Sequence, residues 1–163
     1  MKTLLVVYHS MTGGSEQMAL ALIEGAASEA GTTARLLRAA STLPDDLLAA
    51  DAYVFVTPEN LAAISGQLKD FFDRCYYPVL DLINGRPYAT MISAGSDGQN
   101  AARQIARIAA GWRLRQVAEP VIVCTHAQTP EQILAPKSID ASDLARCREL
   151  GAAMASGLAL GVF

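Results

Sequence analysis

The chain has 163 residues, a hydrophobic fraction of 52% and a formal net charge of −3. This length predicts one domain over residues 1–163, and the mild charge argues against nucleic acid as the main partner. No apolar stretch approaches the roughly 20 residues that a membrane span requires, so no membrane span is expected. The first residues lead straight into an apolar run, which predicts no leader peptide.

The cysteines and histidines are few and scattered. Cys75, Cys124 and Cys147 lie far apart without metal or redox spacing. Isolated cysteines without an export signal predict reduced thiols and a cytoplasmic protein. With His9 and His126 as the only histidines, no metal site is expected.

Apolar runs alternate with segments of helical periodicity, which is the pattern of a parallel sheet with crossover helices. We predict strands at 3–8, 33–38, 52–57, 87–93 and 117–124, a short helical turn at 44–49, and helices at 15–30, 65–77, 98–111 and 140–160. The predicted fold class is α/β: a doubly wound, three-layer sandwich around a five-stranded parallel sheet. Right-handed crossovers leave two strand orders, 2-1-3-4-5 and 3-2-1-4-5.

Three loops follow the carboxyl ends of the central strands, where doubly wound folds bind their ligands. We call them loop 1 (9–14), loop 2 (57–65) and loop 3 (94–98). All three are rich in glycine, proline and small polar residues, a composition that suits contacts through the backbone.

Loop 1 and the residue after it combine hydroxyls with glycines, in the order Ser10, Met11, Thr12, Gly13, Gly14 and Ser15. Glycines let the backbone approach an anion, and the hydroxyls and the following helix start supply donors. The loop has neither the Lys of a nucleoside triphosphate loop nor the spaced glycines of a dinucleotide fingerprint. It therefore predicts a pocket for one monophosphate held by neutral donors. The alternative is an ordinary helix cap beside a glycine-rich turn.

These motifs resemble the flavodoxin-like superfamily, and most closely its branch of NADPH-dependent FMN reductases and NAD(P)H:quinone reductases. Residues 10–15 match the family's Ser/Thr-x-Thr-Gly-x-Ser/Thr signature for the FMN phosphate. Thr57-Pro58-Glu59-Asn60, continuing into Ser65-Gly66-Gln67-Leu68-Lys69, is similar to the branch's second flavin loop. Ser93-Ala94-Gly95-Ser96-Asp97 stands where the third flavin loop follows its strand.

The resemblance implies the order 2-1-3-4-5, with FMN bound by the residues just quoted in the three segments. Its phosphate would lie at loop 1 and its ring between loops 2 and 3. For Glu59 and Asn60 the alternative is a plain turn, and for Ser96 and Asp97 it is capping of the helix at 98–111, which is compatible with flavin contact.

The implied activity is hydride transfer from NAD(P)H through FMN to a quinone, a flavin or another small acceptor. The cofactor N5 carries this chemistry, so no catalytic side chain is expected. Loops 2 and 3 lack the aromatic residues that electron-carrying flavodoxins stack on the flavin. Loop 2 also has no glycine before Gly66 to ease a peptide flip. Both features favour a reductase, while a flavodoxin-type electron carrier and an interaction module without FMN are the alternatives.

Some residues allow two interpretations. Arg103 and Arg107 are expected on a solvated helix face, or one of them could meet the 2′-phosphate of NADPH. Tyr76 and Tyr77 are expected to pack at a helix end or a subunit contact. The resemblance makes a homodimer or homotetramer plausible, with loop 125–139 and the apolar tail 158–163 as candidate interface segments.

Overall fold

The computed structural model describes residues 1–163. The strands are β1 (Lys2–Tyr8), β2 (Thr32–Arg38), β3 (Ala52–Asn60), β4 (Ala63–Ile64), β5 (Pro87–Ala94), β6 (Arg115–Gln116) and β7 (Val121–Cys124). The helices are α1 (Gly14–Ala27), α2 (Pro44–Ala49), α3 (Gly66–Val79), α4 (Gln99–Gly111), α5 (Pro130–Leu134) and α6 (Ala141–Leu160), with a 3-10 turn at Ala39–Ser41. None of the helices combines the length and apolar character that a bilayer span needs.

The main sheet is parallel and runs β2-β1-β3-β5, with β6 and β7 both beside β5. Counting β6 and β7 as one interrupted edge strand, the order is 2-1-3-4-5. The predicted doubly wound fold is confirmed, and the order 3-2-1-4-5 is excluded. The one antiparallel pair, β3 with β4, forms a small hairpin at the carboxyl edge of the sheet.

The sheet is buried on both faces, which explains its continuous apolar strands. Leu4 and Val6 of β1 pack in a cluster with α1 and α6, whereas Leu5 and Val7 pack in a second cluster with α3 and α4. Helices α1 and α6 approach closely at Gly25 and Gly151. A Cβ at either position would collide with the backbone of the other helix.

Three predicted boundaries are wrong for local reasons. The strand predicted at 52–57 extends to Asn60, because Glu59 and Asn60 pair with β4. The helix predicted at 15–30 ends at Ala27, where the amides of Ser28 and Glu29 bond to carbonyls three residues back, and Gly31 then turns the chain with a φ of 90°. The strand predicted at 117–124 is interrupted before Val121, where Pro120 has no N–H to give the sheet. The short elements β4, β6 and α5 were not predicted.

The three cysteines are unpaired thiols, as expected. Cys75 and Cys147 are buried in the two core clusters. Burial raises the pKa of the Cys147 thiol to about 11. It also raises the pKa of Cys75, so both thiols are fully protonated at neutral pH.

Candidate functional site

A cavity of about 510 Å³ lies at the carboxyl edge of the sheet, within the size range of small-molecule sites. The predicted residues in its wall are Met11, Thr12, Pro58, Glu59, Asn60, Ser93, Ala94, Gly95 and Ser96. The tertiary structure therefore brings loops 1, 2 and 3 together around one space. No aromatic side chain lines that space.

The other predicted residues lie outside the cavity wall: Ser10, Gly13, Gly14, Ser15, Thr57 and Asp97. The four in loop 1 and at the start of α1 form the adjoining turn. Thr57 is buried, and its hydroxyl accepts a hydrogen bond from the Ser65 amide at 3.1 Å, so this side chain holds the base of loop 2. Asp97 is exposed.

Loop 1 turns sharply into α1. Gly13 is the N-cap residue and has a φ of 98°, a conformation that glycine adopts without strain. The Gly13 amide donates to the Ser10 hydroxyl oxygen at 3.1 Å, which closes the turn. The next hydroxyl, that of Ser15, is buried and has no hydrogen-bond partner. A buried hydroxyl without a partner is costly unless a ligand satisfies it.

Loop 1 meets the end of β5, next to loop 3, at Gly14 and Ser93. A Cβ on Gly14 would lie 2.7 Å from the Ser93 hydroxyl oxygen. A side chain at Gly14 would therefore press on the Ser93 hydroxyl, which can rotate away, while the Gly14 backbone is ordinary helix.

Loop 2 forms a tight hairpin whose turn residues are Leu61 and Ala62. Both have positive φ, 50° and 61°, while Glu59 pairs with Ile64 and Asn60 with Ala63. Loop 2 has no glycine before Gly66, yet its turn residues hold left-handed backbone. The antiparallel pairing of β3 and β4 holds two non-glycine residues in that conformation. Leu61 is fully exposed at the hairpin tip.

The carboxylate of Glu59 binds the first turn of α4. It accepts hydrogen bonds from the amides of Gly98 at 3.0 Å and Ala101 at 3.1 Å. The alternative interpretation, in which Ser96 or Asp97 is the N-cap of this helix, is wrong, because Gly98 is the N-cap residue and has no side chain. Asp97 accepts only a long bond of 3.4 Å from Gln99.

A fourth wall of the cavity comes from the segment after β7, which we call the strap (125–139). It contributes Thr125, Ala127, Gln128, Ile133 and Lys137. The sequence predicts this segment as a possible subunit interface, and its position in the cavity wall was not predicted. The available signal was Thr129-Pro130-Glu131-Gln132, a capping box that starts the short helix α5.

His9 opens loop 1 and is partly buried. Burial lowers the pKa of its imidazole, and the nearby guanidinium of Arg38 lowers it further. Its Nδ1 has no hydrogen-bond partner. Beside it the Tyr8 hydroxyl donates to the Glu16 carboxylate at 3.0 Å. Burial raises the pKa of the Tyr8 phenol, and this hydrogen bond raises it further.

The predicted helix-face residues lie away from the cavity. Arg103 and Arg107 are exposed and form no ion pair, and neither lines the cavity. Tyr76 stacks on the buried Trp112 with ring centroids 5.6 Å apart, whereas Tyr77 is exposed at the end of α3. His126 is also exposed, and its amide donates to the Gly95 carbonyl.

Curated relatives match parts of the chain, among them a flavodoxin and an NAD(P)H dehydrogenase (quinone). A flavodoxin from Aquifex aeolicus is 33% identical over 98 residues, which are 60% of this chain and 53% of that protein. An NAD(P)H dehydrogenase (quinone) from Acidithiobacillus ferrooxidans is 34% identical over 94 residues, or 45% of this chain and 47% of that protein. The matched region spans about half the length of each relative.

Solved structures agree over nearly the whole chain. A flavodoxin from the domain Archaea superposes with a TM-score of 0.76 at 18% identity, covering 97% of this chain and 99% of that one. A WrbA-like flavodoxin from Agrobacterium tumefaciens gives 0.75 at 23% identity, covering 99% of both chains. At these identities the likeness shows the flavodoxin-like fold alone.

The family model described as NADPH-dependent FMN reductase matches residues 38–129. This range includes loops 2 and 3 and ends inside the strap, while loop 1 lies outside it. More than half of the chain, including two of the three loops around the cavity, therefore follows one family pattern. The chain belongs to the NADPH-dependent FMN reductase family.

Proposed function

We propose that the chain binds FMN at the carboxyl edge of its sheet and uses NAD(P)H to reduce a small acceptor, such as a quinone or a free flavin. The phosphate would lie at loop 1 and the ring in the cavity between loops 2 and 3. No side chain of the protein is assigned a proton-transfer role.

The buried Ser15 hydroxyl carries the proposal. It lies in the first turn of α1, where backbone amides and the positive end of the helix dipole favour an anion. A phosphate oxygen there would give this hydroxyl its missing partner. The crowded contact between Gly14 and Ser93 also fits, since a larger residue would fill the space beside the loop.

Loops 2 and 3 would form the walls around the ring. Glu59 fixes the start of α4 and thereby the position of loop 3, because its two hydrogen bonds join the loops. Pro58, Asn60 and the backbone of Ser93 to Gly95 face the cavity. These groups bind and orient, and their fixed positions reduce the ordering cost of binding.

When bound, FMN supplies the hydride chemistry that links a nicotinamide to the acceptor. The cavity wall leaves space beside a bound ring, since no aromatic side chain lines the cavity. A second planar molecule can then approach the flavin face. This feature supports a reductase over an electron carrier, whose stacked aromatics would cover that face.

A flavodoxin-type carrier is the alternative, because one of the matched relatives is named a flavodoxin. The two functions differ in their response to NAD(P)H.

We also propose that the acceptor is a small molecule and that the chain forms a homodimer or homotetramer. Light scattering of the purified protein would measure its mass in solution. Leu160 and Val162 near the C terminus are exposed and available for such a contact.

The test is the absorbance spectrum of the purified protein, followed by anaerobic addition of NADPH or NADH. We expect a flavin spectrum, release of FMN on denaturation, rapid bleaching by a nicotinamide and recovery with a quinone. FMN should bind more tightly than FAD, because the cavity loops offer no second phosphate site.

A Gly13→Val variant tests the assignment of the phosphate to loop 1. A branched side chain at a φ of 98° is strained, so this variant should lose FMN. Full FMN occupancy in Gly13→Val would contradict the loop 1 assignment. A protein that holds FMN but reacts with neither nicotinamide would support the carrier instead.

A further inference from the structure

The cavity contains one cation that the sequence motifs did not reveal. Lys137 of the strap lines the cavity, and its ammonium lies 3.3 Å from the Thr12 hydroxyl oxygen. Loop 1 itself has no lysine or arginine. The strap therefore brings a positive charge to a turn that is otherwise built from neutral donors.

The backbone around Lys137 is tied firmly to loop 1. The Lys137 amide donates to the Thr12 carbonyl at 2.8 Å. The Gln17 side-chain amide donates to the carbonyls of Lys137 at 2.7 Å and Gly13 at 2.9 Å. The Gln17 oxygen in turn accepts from the Ile139 amide at 3.0 Å. These bonds fix the strap against the start of α1.

The ammonium has no carboxylate partner. It donates to the carbonyls of Ile133 at 2.8 Å and Ala135 at 2.6 Å and to Thr12, and it forms no ion pair. A Cβ added to Gly14 would lie 3.6 Å from the Cβ of Lys137, so the lysine side chain begins directly beside the glycine turn. An uncompensated cation at this place attracts a bound anion more strongly than the neutral donors do.

We propose that Lys137 is a phosphate-binding residue of the FMN site, supplied by the strap rather than by loop 1. Its ammonium exchanges the Thr12 hydroxyl for a phosphate oxygen while the backbone bonds of the strap stay in place. Lys137 thereby makes the site select a phosphorylated flavin over riboflavin, which has the same ring and no phosphate. This inference rests on the proposed FMN site.

The test measures binding and not activity. Full-length protein freed of flavin is titrated with FMN and with riboflavin, and flavin fluorescence gives each Kd. Lys137→Met should weaken FMN about tenfold or more, while the Kd for riboflavin changes by less than about twofold. Lys137→Arg should keep most of the FMN preference, because it retains the charge.

Lys2→Met is the matched control, since Lys2 begins β1 at the opposite edge of the sheet and pairs with Asp51. It removes the same charge and should leave both Kd values unchanged. Wild-type affinity for FMN should fall as KCl is raised, and that dependence should be weaker in Lys137→Met.

Equal weakening of FMN and riboflavin by Lys137→Met would show that Lys137 only holds the strap, and would overturn the inference. Unchanged FMN binding would also overturn it while leaving the FMN site intact. Wild-type protein that binds neither flavin would refute the proposed function as well. If Lys137→Met does not fold, Lys137→Gln in the same titrations decides the question.

Discussion

Glu59, a residue of the cavity wall, and Gly98 are joined by a hydrogen bond of 3.0 Å from the Gly98 amide to the Glu59 carboxylate. Gly98 is the N-cap residue of α4 and has no side chain with which to cap the helix. A residue 39 positions earlier in the chain provides the cap instead. One carboxylate thus stabilises α4 and sets the spacing of loops 2 and 3.

Replacing Glu59 with Ala should lower the free energy of unfolding by about 1 kcal/mol, the usual cost of losing a helix cap. Glu59→Gln keeps one acceptor and should cost less. Urea unfolding followed by circular dichroism measures both. Glu149→Ala, at an exposed position of α6, is the control and should change little. Equal losses in the two alanine variants would contradict the capping role of Glu59.

Gly14→Ala should lower FMN affinity, because the new Cβ would lie 2.7 Å from the Ser93 hydroxyl oxygen and displace it at the cavity wall. The stability should change little, since a hydroxyl can rotate and alanine favours a helix over glycine. Adding Ser93→Ala removes that oxygen and should restore part of the affinity. Gly66→Ala is the control, since a Cβ there meets no atom within 4 Å. Thermal melts and FMN titrations of the single and double variants measure the coupling. Additive effects would show that the two residues do not compete for space.

The hairpin turn of loop 2 should be easy to stabilise. Leu61 and Ala62 hold positive φ angles that cost non-glycine residues about 1 kcal/mol or more each. Asn-Gly is the preferred pair for such a turn, so Leu61→Asn with Ala62→Gly should raise the urea midpoint. Leu61 is fully exposed, so no packing is lost. Leu160→Asn, an exposed leucine in a right-handed helix, should give no gain. A lower midpoint in the double variant would mean that the turn residues make stabilising contacts.

The free energy of unfolding of the flavin-free protein should decrease as the pH is lowered through and below 6.5, the ordinary pKa of histidine. Burial lowers the folded-state pKa of His9, so the unfolded chain binds its proton at a higher pH. The stabilising contribution of neutral His9 is present above 6.5 and is lost as pH falls through the lowered value. His9→Gln should flatten this part of the profile, measured by urea unfolding between pH 7.5 and 5. His126→Asn is the control, because His126 is exposed and asparagine tolerates its φ of 60°. An unchanged slope in His9→Gln would assign the pH dependence to other groups.

Local pattern determined the main elements of this fold. Short apolar runs such as Leu4 to Val7, bounded by turn residues, predict strands buried on both faces, and the periodic segments between them predict crossover helices. The glycines and hydroxyls of loop 1 also identified a candidate anion site, because their conformational and donor properties are local. The order of the strands came from the resemblance, since both orders satisfy the same handedness rule.

Only the tertiary structure decided which distant residues meet. The cap from Glu59 to α4, the contact between Gly14 and Ser93, and the place of Lys137 beside Thr12 all join residues far apart in sequence. Periodicity carries no information about such pairs, because it records only which face of an element is buried. The left-handed turn at Leu61 and Ala62 has the same origin. Non-glycine residues prefer negative φ angles, and sequence alone predicts that preference. In this turn the strand pairing on either side outweighs it.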